Sequence, residues 1–400
     1  MISRRAFVSA SLCAAIFVAA GVGNKPSTIQ IWTDSTGNGD REPREWPYLW
    51  ADSLAQSGSG VELAGWDVDH GRYGPQRRFG FGRNPLILRN FAVSGATFEY
   101  AMGGLWGTAF AERPDVLIIS LGLNHAQGLD RSVVFGEMVA GIERFVSTYP
   151  DVPIVFVKQN PFRDTDDMAK IYEIVDRLAP IYDLRIIDVG ALFEAKHKDA
   201  ALYLSDGNTH PNQRGEQLYA DAVQTAWPPR MEVNRPSRPQ LVNLLSNPHF
   251  EIDSQGGVAG WSAGGLGKLT LEKNSGLQVR CAGGYGYLYQ DISAENLSAA
   301  LGQNISVAFD LRLEGDAADG QGRIFVTVSS PRGSQTVQSR ASLPPGGIQG
   351  WRAICDVPVP PDVLSIRVGV YHDQAPLPSV VPLELSRSMV VAGSFPRLEG

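Results

Sequence analysis

Between residues 29 and 227, strand-like apolar runs alternate with segments of helical periodicity, and this alternation constrains the fold more than any other feature of the sequence. The runs occupy residues 29–33, 86–91, 116–121, 154–158 and 185–189. Continuous apolar runs are typical of parallel strands that are buried on both faces. Apolar residues recur at helical spacing over 133–146 and 171–178, and residues 216–227 predict a last helix that stops at Pro228. The alternation predicts a doubly wound α/β sheet.

A second domain is expected because 400 residues exceed what one hydrophobic core usually supports. Residues 229–240 are rich in Pro and Arg and predict a linker after an α/β domain at 25–228. Short alternating runs separated by Gly, Pro and Asn then predict an all-β sandwich or jelly roll at 241–400. Its candidate strands are residues 277–280, 305–313, 323–328, 351–357, 364–371 and 383–391.

The first 24 residues have the pattern of an export signal. Arg4 and Arg5 precede an apolar run of small residues that reaches Val22, and the surrounding Ser-Arg-Arg-x-Phe resembles a bacterial twin-arginine signal. A single membrane anchor is the alternative, but the run is short and rich in Ala and Ser. We therefore expect residues 1–24 to be removed and the protein to be exported, periplasmic or secreted, without a stable membrane anchor.

The charge and cysteine content exclude some classes of protein. A formal net charge of −7 and a pI near 5.5 argue against a nucleic-acid partner, which normally requires a basic face. Cys281 and Cys355 remain after the export signal, and they could form a disulfide in an oxidising compartment or stay as two isolated buried thiols. No metal site and no cofactor are expected, and the oligomeric state is left open.

A serine and a histidine that are far apart in sequence both follow strand-like segments. Ser35 lies in the turn Asp34-Ser35-Thr36-Gly37 at the carboxyl end of the first strand, where α/β sheets place their ligands. The alternative is a helix N-cap serine. His210 lies in a loop before the last helix, so the two residues fit a nucleophile and its general base.

Stretches that could stabilise an oxyanion follow two other strands, at Gly95 and at Asn124. Together with the segments around Ser35 and His210, they resemble, in order, the four blocks of the SGNH (GDSL-type) hydrolase superfamily. The blocks read Thr33-Asp34-Ser35, Gly95, Gly122-Leu123-Asn124-His125 and residues 206–211, and residues 46–51 also resemble the family's first helix.

The resemblance covers residues 29–227 and implies a flavodoxin-like sheet and a set of site residues. It implies that Ser35 is the nucleophile, that His210 is the general base and that Asp206 orients the histidine. It further implies an oxyanion hole made of the Ser35 and Gly95 amides and the Asn124 side chain.

Three departures from the family pattern matter. Thr33 replaces a glycine, and His125 replaces the aspartate that follows Asn124 in the family; we expect His125 to be structural, with substrate contact as the alternative. The family's aspartate lies three residues before the histidine, whereas Asp206 lies four before His210. An extra loop residue would let Asp206 reach the imidazole; otherwise Asn208 or a backbone carbonyl orients it, which leaves a Ser-His dyad.

Other polar residues have simpler interpretations. We expect Asp34 to be a turn residue that accepts hydrogen bonds from local amides. His70, His197, His249 and His372 have no partners at metal-ligand spacing and are expected on the surface or in loops.

The start of the second domain, residues 241–251 followed by Gly260-Trp261, resembles carbohydrate-binding jelly-roll modules. Five aromatic residues of the second domain could stack on sugar rings or belong to the core: Trp261, Tyr285, Tyr287, Tyr289 and Trp351.

The sequence thus predicts an exported serine esterase that hydrolyses short-chain, acetyl-type esters, with an acylated glycan as the expected substrate. Two alternatives stay open. One is a lipid-type esterase or lysophospholipase of the same superfamily, and the other is a non-catalytic glycan-binding protein.

Overall fold

The computed structural model describes residues 27–38, 45–126, 128, 130–204, 209–228, 232–236, 241–314, 321–340, 346–373 and 382–393. The predicted export signal, part of the predicted linker and Asp206 lie outside these residues.

The first half of the chain forms one eight-stranded sheet flanked by helices. Its strands are β1 (Thr28–Thr33), β2 (Val61–Asp67), β3 (Arg72–Tyr73), β4 (Arg77–Phe79), β5 (Leu86–Ala92), β6 (Val116–Ser120), β7 (Ile154–Lys158) and β8 (Arg185–Asp188). Its α-helices are α1 (Trp46–Gln56), α2 (Trp106–Ala109), α3 (Leu123–Ala126), α4 (Arg131–Thr148), α5 (Ala169–Tyr182), α6 (Val189–Ala195) and α7 (Gln213–Ala226). Short 3₁₀ helices occupy Phe98–Ala101 and Ala200–Leu202.

The strand order of this α/β sheet is β3-β2-β5-β1-β6-β7-β8, and β4 pairs with β2. Strands β5, β1, β6, β7 and β8 are parallel neighbours in the flavodoxin-like order 2-1-3-4-5, and β2 extends this parallel arrangement beyond β5. The predicted doubly wound sheet is therefore confirmed. The sequence did not reveal β2, which pairs with β5 on one side and with β3 and β4 on the other. Residues 67–84 contribute the two antiparallel strands β3 and β4, which the sequence also did not reveal.

The predicted helices are present, with one difference at Pro180. The apolar spacing over residues 171–178 predicted this helix, and α5 extends beyond it, past Pro180, to Tyr182. Pro180 lies in the last turn, and Asp183 then ends the helix in the left-handed conformation at φ 53°. Because only two helical residues follow Pro180, the hydrogen bond that the proline removes affects only the end of the helix.

The second half of the chain forms two five-stranded antiparallel sheets. Its elements are β9 (Ser262–Gly265), β10 (Lys268–Lys273), β11 (Leu277–Ala282), β12 (Tyr285–Asp291), α8 (Ala294–Leu297), β13 (Asn304–Glu314), β14 (Ile324–Ser330), β15 (Gly333–Gln338), β16 (Gly347–Pro358), β17 (Ser365–Asp373) and β18 (Leu383–Ala392). A 3₁₀ helix at Ser298–Ala300 follows α8. Sheet 2 has the order β10-β11-β18-β13-β16, and sheet 3 has the order β15-β14-β17-β12-β9. The predicted all-β architecture is confirmed.

Cys281 and Cys355 are both buried in sheet 2, and neither forms a disulfide. Cys281 lies in β11 and Cys355 in β16, three strands apart in the sheet order. Strands three positions apart are separated by about 14 Å, well beyond the reach of a disulfide. Burial raises the pKa of the Cys355 thiol to about 12. The structure therefore favours two isolated thiols.

The aromatic residues considered as sugar platforms have different environments. Trp261 is a core residue that packs against Phe250 and Phe309, so it is not available to a ligand. Tyr285 is 44% exposed at the start of β12. Tyr289 is covered on one face by the guanidinium of Arg367, 4.0 Å from the ring centroid.

Helix α4 and strand β16 touch where the two halves of the chain meet. A Cβ atom on Gly136 would lie 2.0 Å from the carbonyl oxygen of Ala353, so only glycine permits this approach. Ala308, Ala353 and Cys355 of sheet 2 join the core beneath α4, and Val133 of α4 joins the sandwich core. The two halves therefore share buried apolar surface. No described helix is long and apolar enough to cross a membrane.

His372 was expected on the surface or in a loop, and this expectation is wrong. It lies in β17 with 1% of its surface exposed, and neither ring nitrogen has a hydrogen-bond partner among the described residues. Burial lowers the pKa of His372 to about 4 because the charged imidazolium is poorly solvated there.

We expect this histidine to make folding acid-sensitive. In the unfolded chain His372 takes up a proton near pH 6.5, whereas in the folded protein it does so only near pH 4. Its contribution to the free energy of unfolding is therefore fully present above pH 6.5 and is lost as the pH falls towards 4. Relative to His372→Gln, the wild-type free energy of unfolding should fall by about 3 kcal/mol from neutral pH to pH 4. Urea unfolding across this range measures it. The exposed His249 supplies the control variant His249→Gln. If the wild type differed from His249→Gln in pH dependence as much as it differs from His372→Gln, burial of His372 would not explain the acid sensitivity.

Candidate active site

Ser35 lies in a tight turn at the carboxyl end of β1. The Gly37 amide donates to the Asp34 carbonyl at 3.1 Å and closes the turn. A Cβ atom on Gly37 would lie 2.4 Å from the Thr33 side chain, so glycine is required at this point. The turn leaves Ser35 only 5% exposed, and its Oγ lies 2.8 Å from Nε2 of His210. Ser35 and His210 are 175 residues apart in sequence and in hydrogen-bond contact in the fold.

The Asp34 side chain is fully buried and stabilises this turn through hydrogen bonds. Its Oδ1 accepts from the Thr36 amide and hydroxyl, both at 3.0 Å, as a turn residue would. Gln159, which follows β7, donates from Nε2 to both Asp34 carboxylate oxygens at 3.0 Å. Burial raises the pKa of Asp34, and the hydrogen bonds from Thr36 and Gln159 oppose this shift. The structural interpretation of Asp34 is confirmed.

Gln159 also connects the serine turn to the block around Asn124. Its Oε1 accepts from the Leu123 amide at 2.9 Å, while its Nε2 reaches the carbonyl of Ser120 at 3.0 Å. The sequence analysis missed Gln159, although a polar residue directly after an apolar parallel strand is a usable signal.

The loop that carries His210 is fixed on both sides. The His210 carbonyl accepts from the Leu204 amide at 2.9 Å, and the Asn212 side chain caps helix α7. Asn160 donates from Nδ2 to the Thr209 carbonyl at 2.8 Å, and its Oδ1 accepts from the Tyr219 hydroxyl at 2.6 Å. Asn160 is a second residue after β7 that the sequence analysis did not identify.

Two backbone amides at the candidate site, those of Ser35 and Gly95, form no hydrogen bond within the described part of the chain. Gly95 is exposed and has a φ of 79°, a left-handed conformation that strongly favours glycine. The neighbouring Ser94 hydroxyl accepts from the Asn38 side chain at 2.8 Å, which ties the two turns together.

Asn124 is partly exposed at the start of α3, and its Nδ2 donates to the Ala96 carbonyl at 3.0 Å. This bond uses one of the two Nδ2 hydrogens and leaves the other for a further acceptor. The next residue, His125, is fully buried and has a structural position. Its Nε2 lies 3.2 Å from the Phe98 amide nitrogen and 3.2 Å from Oε2 of Glu137.

The structure brings Ser35 and His210 into contact, and it links the Gly95 segment to the serine turn through Asn38 and Ser94 and to Asn124 through the Ala96 carbonyl. Asp206 lies outside the described residues. A hydroxyl in contact with an imidazole can act as a nucleophile with its base, and amide donors in neighbouring segments could stabilise an oxyanion. Within the described ranges, no three His, Cys, Asp or Glu side chains are grouped so as to hold a metal ion.

Comparison with known proteins gives one family match, which lies within this half of the chain. The model of the "GDSL-like Lipase/Acylhydrolase family" matches residues 52–218, which include Gly95, Asn124 and His210 and begin after Ser35. No curated protein sequence matches the chain.

Solved structures give low-identity matches that differ in how much of the chain they cover. A two-domain esterase described as active on acetylated mannans, crystallised with mannopentaose, shares 11% identity over 93% of this chain and 92% of its own, with a TM-score of 0.42. A carbohydrate esterase family 3 protein from Talaromyces cellulolyticus shares 18% identity over 50% of this chain and 95% of its own, with a TM-score of 0.37.

Replacement of Gln159 tests the buried network under the serine turn. We expect Gln159→Leu to lower the free energy of unfolding by about 2–4 kcal/mol, because Asp34 loses donors and the Leu123 amide loses its acceptor. Urea denaturation measures the change. Gln217→Leu, which removes a partly exposed contact with Asp221 in α7, is the control and should cost less than about 0.5 kcal/mol. Equal costs for the two variants would exclude a special role for Gln159.

Proposed function

We propose that this protein is a serine esterase with Ser35 as nucleophile and His210 as general base, and the match of residues 52–218 to the GDSL-like lipase/acylhydrolase family model supports a hydrolase of this kind. The observation that carries the proposal is the 2.8 Å contact between Ser35 Oγ and His210 Nε2 at the carboxyl edge of the sheet. Residues 25–228 would form the catalytic domain, with 229–240 as linker and 241–400 as the sandwich domain.

In the first step, His210 Nε2 accepts the hydroxyl proton while Ser35 Oγ attacks the ester carbonyl carbon. The carbonyl oxygen then carries negative charge. The Ser35 and Gly95 amides and the second Nδ2 hydrogen of Asn124 are the donors we assign to it. Collapse of the tetrahedral intermediate expels the alcohol, which takes the proton from His210.

In the second step, water attacks the acyl-enzyme. His210 accepts a proton from the water and then returns it to Ser35 Oγ as the acid is released. The same donors stabilise the second oxyanion. No metal or cofactor takes part in the proposed steps.

We assign the orientation of His210 to Asp206. A carboxylate that accepts from Nδ1 fixes the tautomer in which Nε2 faces the serine, and it stabilises the imidazolium formed during attack. The alternatives are Asn208 or a backbone carbonyl, which would make the site a Ser-His dyad.

The narrow surroundings of Ser35 favour a short acyl group. With 5% of its surface exposed, the residue is reached by a small acyl carbon more readily than by a long chain that needs its own apolar cleft. The appended β-sandwich, which resembles carbohydrate-binding modules in sequence, supports an acylated glycan as the substrate outside the cell. Esterases that resemble this chain are described as acting on acetylated mannans and xylo-oligosaccharides.

Ser35→Ala tests the nucleophile. We expect hydrolysis of an aryl acetate by residues 25–400 to fall at least about 10³-fold, because the proposed acyl-enzyme forms on Ser35 Oγ. Release of the phenol measures the rate. Ser57→Ala, at an exposed serine after helix α1 whose hydroxyl donates to the Leu54 carbonyl at 2.7 Å, is the control and should keep most of the activity. Undiminished turnover in folded Ser35→Ala would exclude Ser35.

The same assay separates the alternatives. Faster turnover of an aryl octanoate than of the acetate would favour a lipid-type esterase. Wild-type rates no higher than those of Ser35→Ala on both esters, with retained glycan binding, would favour a non-catalytic glycan-binding protein.

Asp206→Ala and Asn208→Ala distinguish a triad from a dyad. If Asp206 orients the imidazole, Asp206→Ala should lower kcat at least about 10²-fold, whereas Asn208→Ala should change it less than about fivefold. Steady-state kinetics with the aryl acetate gives both values. The reverse ranking would assign the orienting role to Asn208, and two near-normal variants would leave the dyad.

A further inference from the structure

Two carboxylates of the α/β half are buried against arginines of the sandwich. Glu99, in the 3₁₀ helix Phe98–Ala101, is 7% exposed, and Glu137, in α4, is 3% exposed. Arg352 of β16 is 3% exposed. Charges buried in this way seldom add to stability compared with apolar residues of the same size. Their presence at this interface is therefore better explained by how they orient the segments that carry them than by a gain in stability.

Arg352 holds Glu99 at two points. Its Nε donates to Oε1 at 2.8 Å and its Nη2 to Oε2 at 3.1 Å, while its Nη1 donates to the Gly322 carbonyl at 3.1 Å. Burial raises the pKa of Glu99, Arg352 opposes this shift, and Glu137 adds to it. A fork-to-fork contact of this kind fixes direction as well as distance, because the guanidinium and the carboxylate are both planar.

Glu137 forms a second connection from the sandwich to the site. Its Oε1 accepts from Nε of Arg340 at 2.7 Å, and its Oε2 lies 3.2 Å from His125 Nε2. Burial acts to raise the pKa of Glu137, but His125 and Arg340 outweigh it and hold the pKa below its usual range. The same His125 Nε2 lies 3.2 Å from the Phe98 amide nitrogen, and His125 directly follows Asn124 in sequence.

These contacts converge on one loop. Residues 94–99 contain Gly95 and are held at the Ala96 carbonyl by Asn124, at the Phe98 amide by His125, and at the Glu99 carboxylate by Arg352. The first two contacts come from the α/β half itself. The third comes from the sandwich.

We propose that Arg352 is a positioning residue for ester hydrolysis, which acts through Glu99 to hold the loop of residues 94–99, and with it the Gly95 amide, where an oxyanion requires a donor. This inference rests on the proposed function of Ser35 and Gly95. It assigns the sandwich a direct part in catalysis, whatever it binds. Arg352 itself does not touch the substrate.

A positioning role predicts an effect on the transition state and little effect on substrate binding, because the Gly95 amide acts on charge that develops during attack. We expect Arg352→Met to lower kcat for an aryl acetate by about 10-fold to 100-fold and to leave KM within about twofold. Amide hydrogen exchange in residues 94–99 should become faster in the same variant. Arg352→Lys, which retains the charge but loses the fork, should recover part of kcat.

The matched control is an ion-pair network at the same interface that does not reach the loop. Asp356 of β16 accepts from Arg131 of α4 at 2.9 Å and from Arg177 of α5 at 2.7 Å. Asp356→Asn weakens the docking of the same two halves, and asparagine tolerates the φ of 65° at this position. It should leave both kcat and exchange in residues 94–99 unchanged. If Arg352→Met does not fold, Glu99→Gln, which keeps the side-chain volume, takes its place.

The two readouts keep this inference separate from the proposed function. An active wild type with an unchanged kcat in folded Arg352→Met, or an equal loss of kcat in Asp356→Asn, would overturn the inference and leave the esterase proposal intact. A wild type without ester hydrolysis would overturn the esterase proposal. In that case, faster exchange in Arg352→Met alone would still support positioning of the loop, and unchanged exchange would overturn it.

Discussion

The docking of helix α4 onto strand β16 is the contact on which both halves of the structure depend. It is possible because Gly136 has no side chain, which lets the helix lie against the Ala353 carbonyl. The apolar core under α4 therefore includes residues of sheet 2, and Val133 of α4 enters the sandwich core. Two domains with separate cores would be free to move, whereas shared burial of this kind favours a fixed arrangement.

The same interface encloses the charges that reach the candidate site. A low-dielectric environment strengthens the pair between Glu99 and Arg352, and it also makes either member costly without the other. The loop with Gly95 is thus fixed by groups of both halves. An oxyanion hole works through donors that are in place before charge develops, so rigidity at this loop is chemically useful.

Polar residues after strand β7 support the other side of the site. Gln159 fastens the serine turn through Asp34 and the Asn124 block through the Leu123 amide, and Asn160 holds the histidine loop through the Thr209 carbonyl. Both side chains are buried and act on the backbone of the segments that carry the candidate catalytic groups. Ser35 and His210 meet because these neighbours fix three separate turns at one edge of the sheet.

The sequence by itself determined the alternation of strands and helices, the all-β second half and the candidate residues Ser35, Gly95, Asn124 and His210. These follow from local patterns: apolar runs, helical spacing, turn residues and short motifs at strand ends. Only the tertiary structure decided the roles of Gln159, His125 and Arg352, the burial of His372 and the separation of Cys281 from Cys355. These depend on which distant segments become neighbours, and a pattern of residues along one segment carries no information about the groups that pack against it.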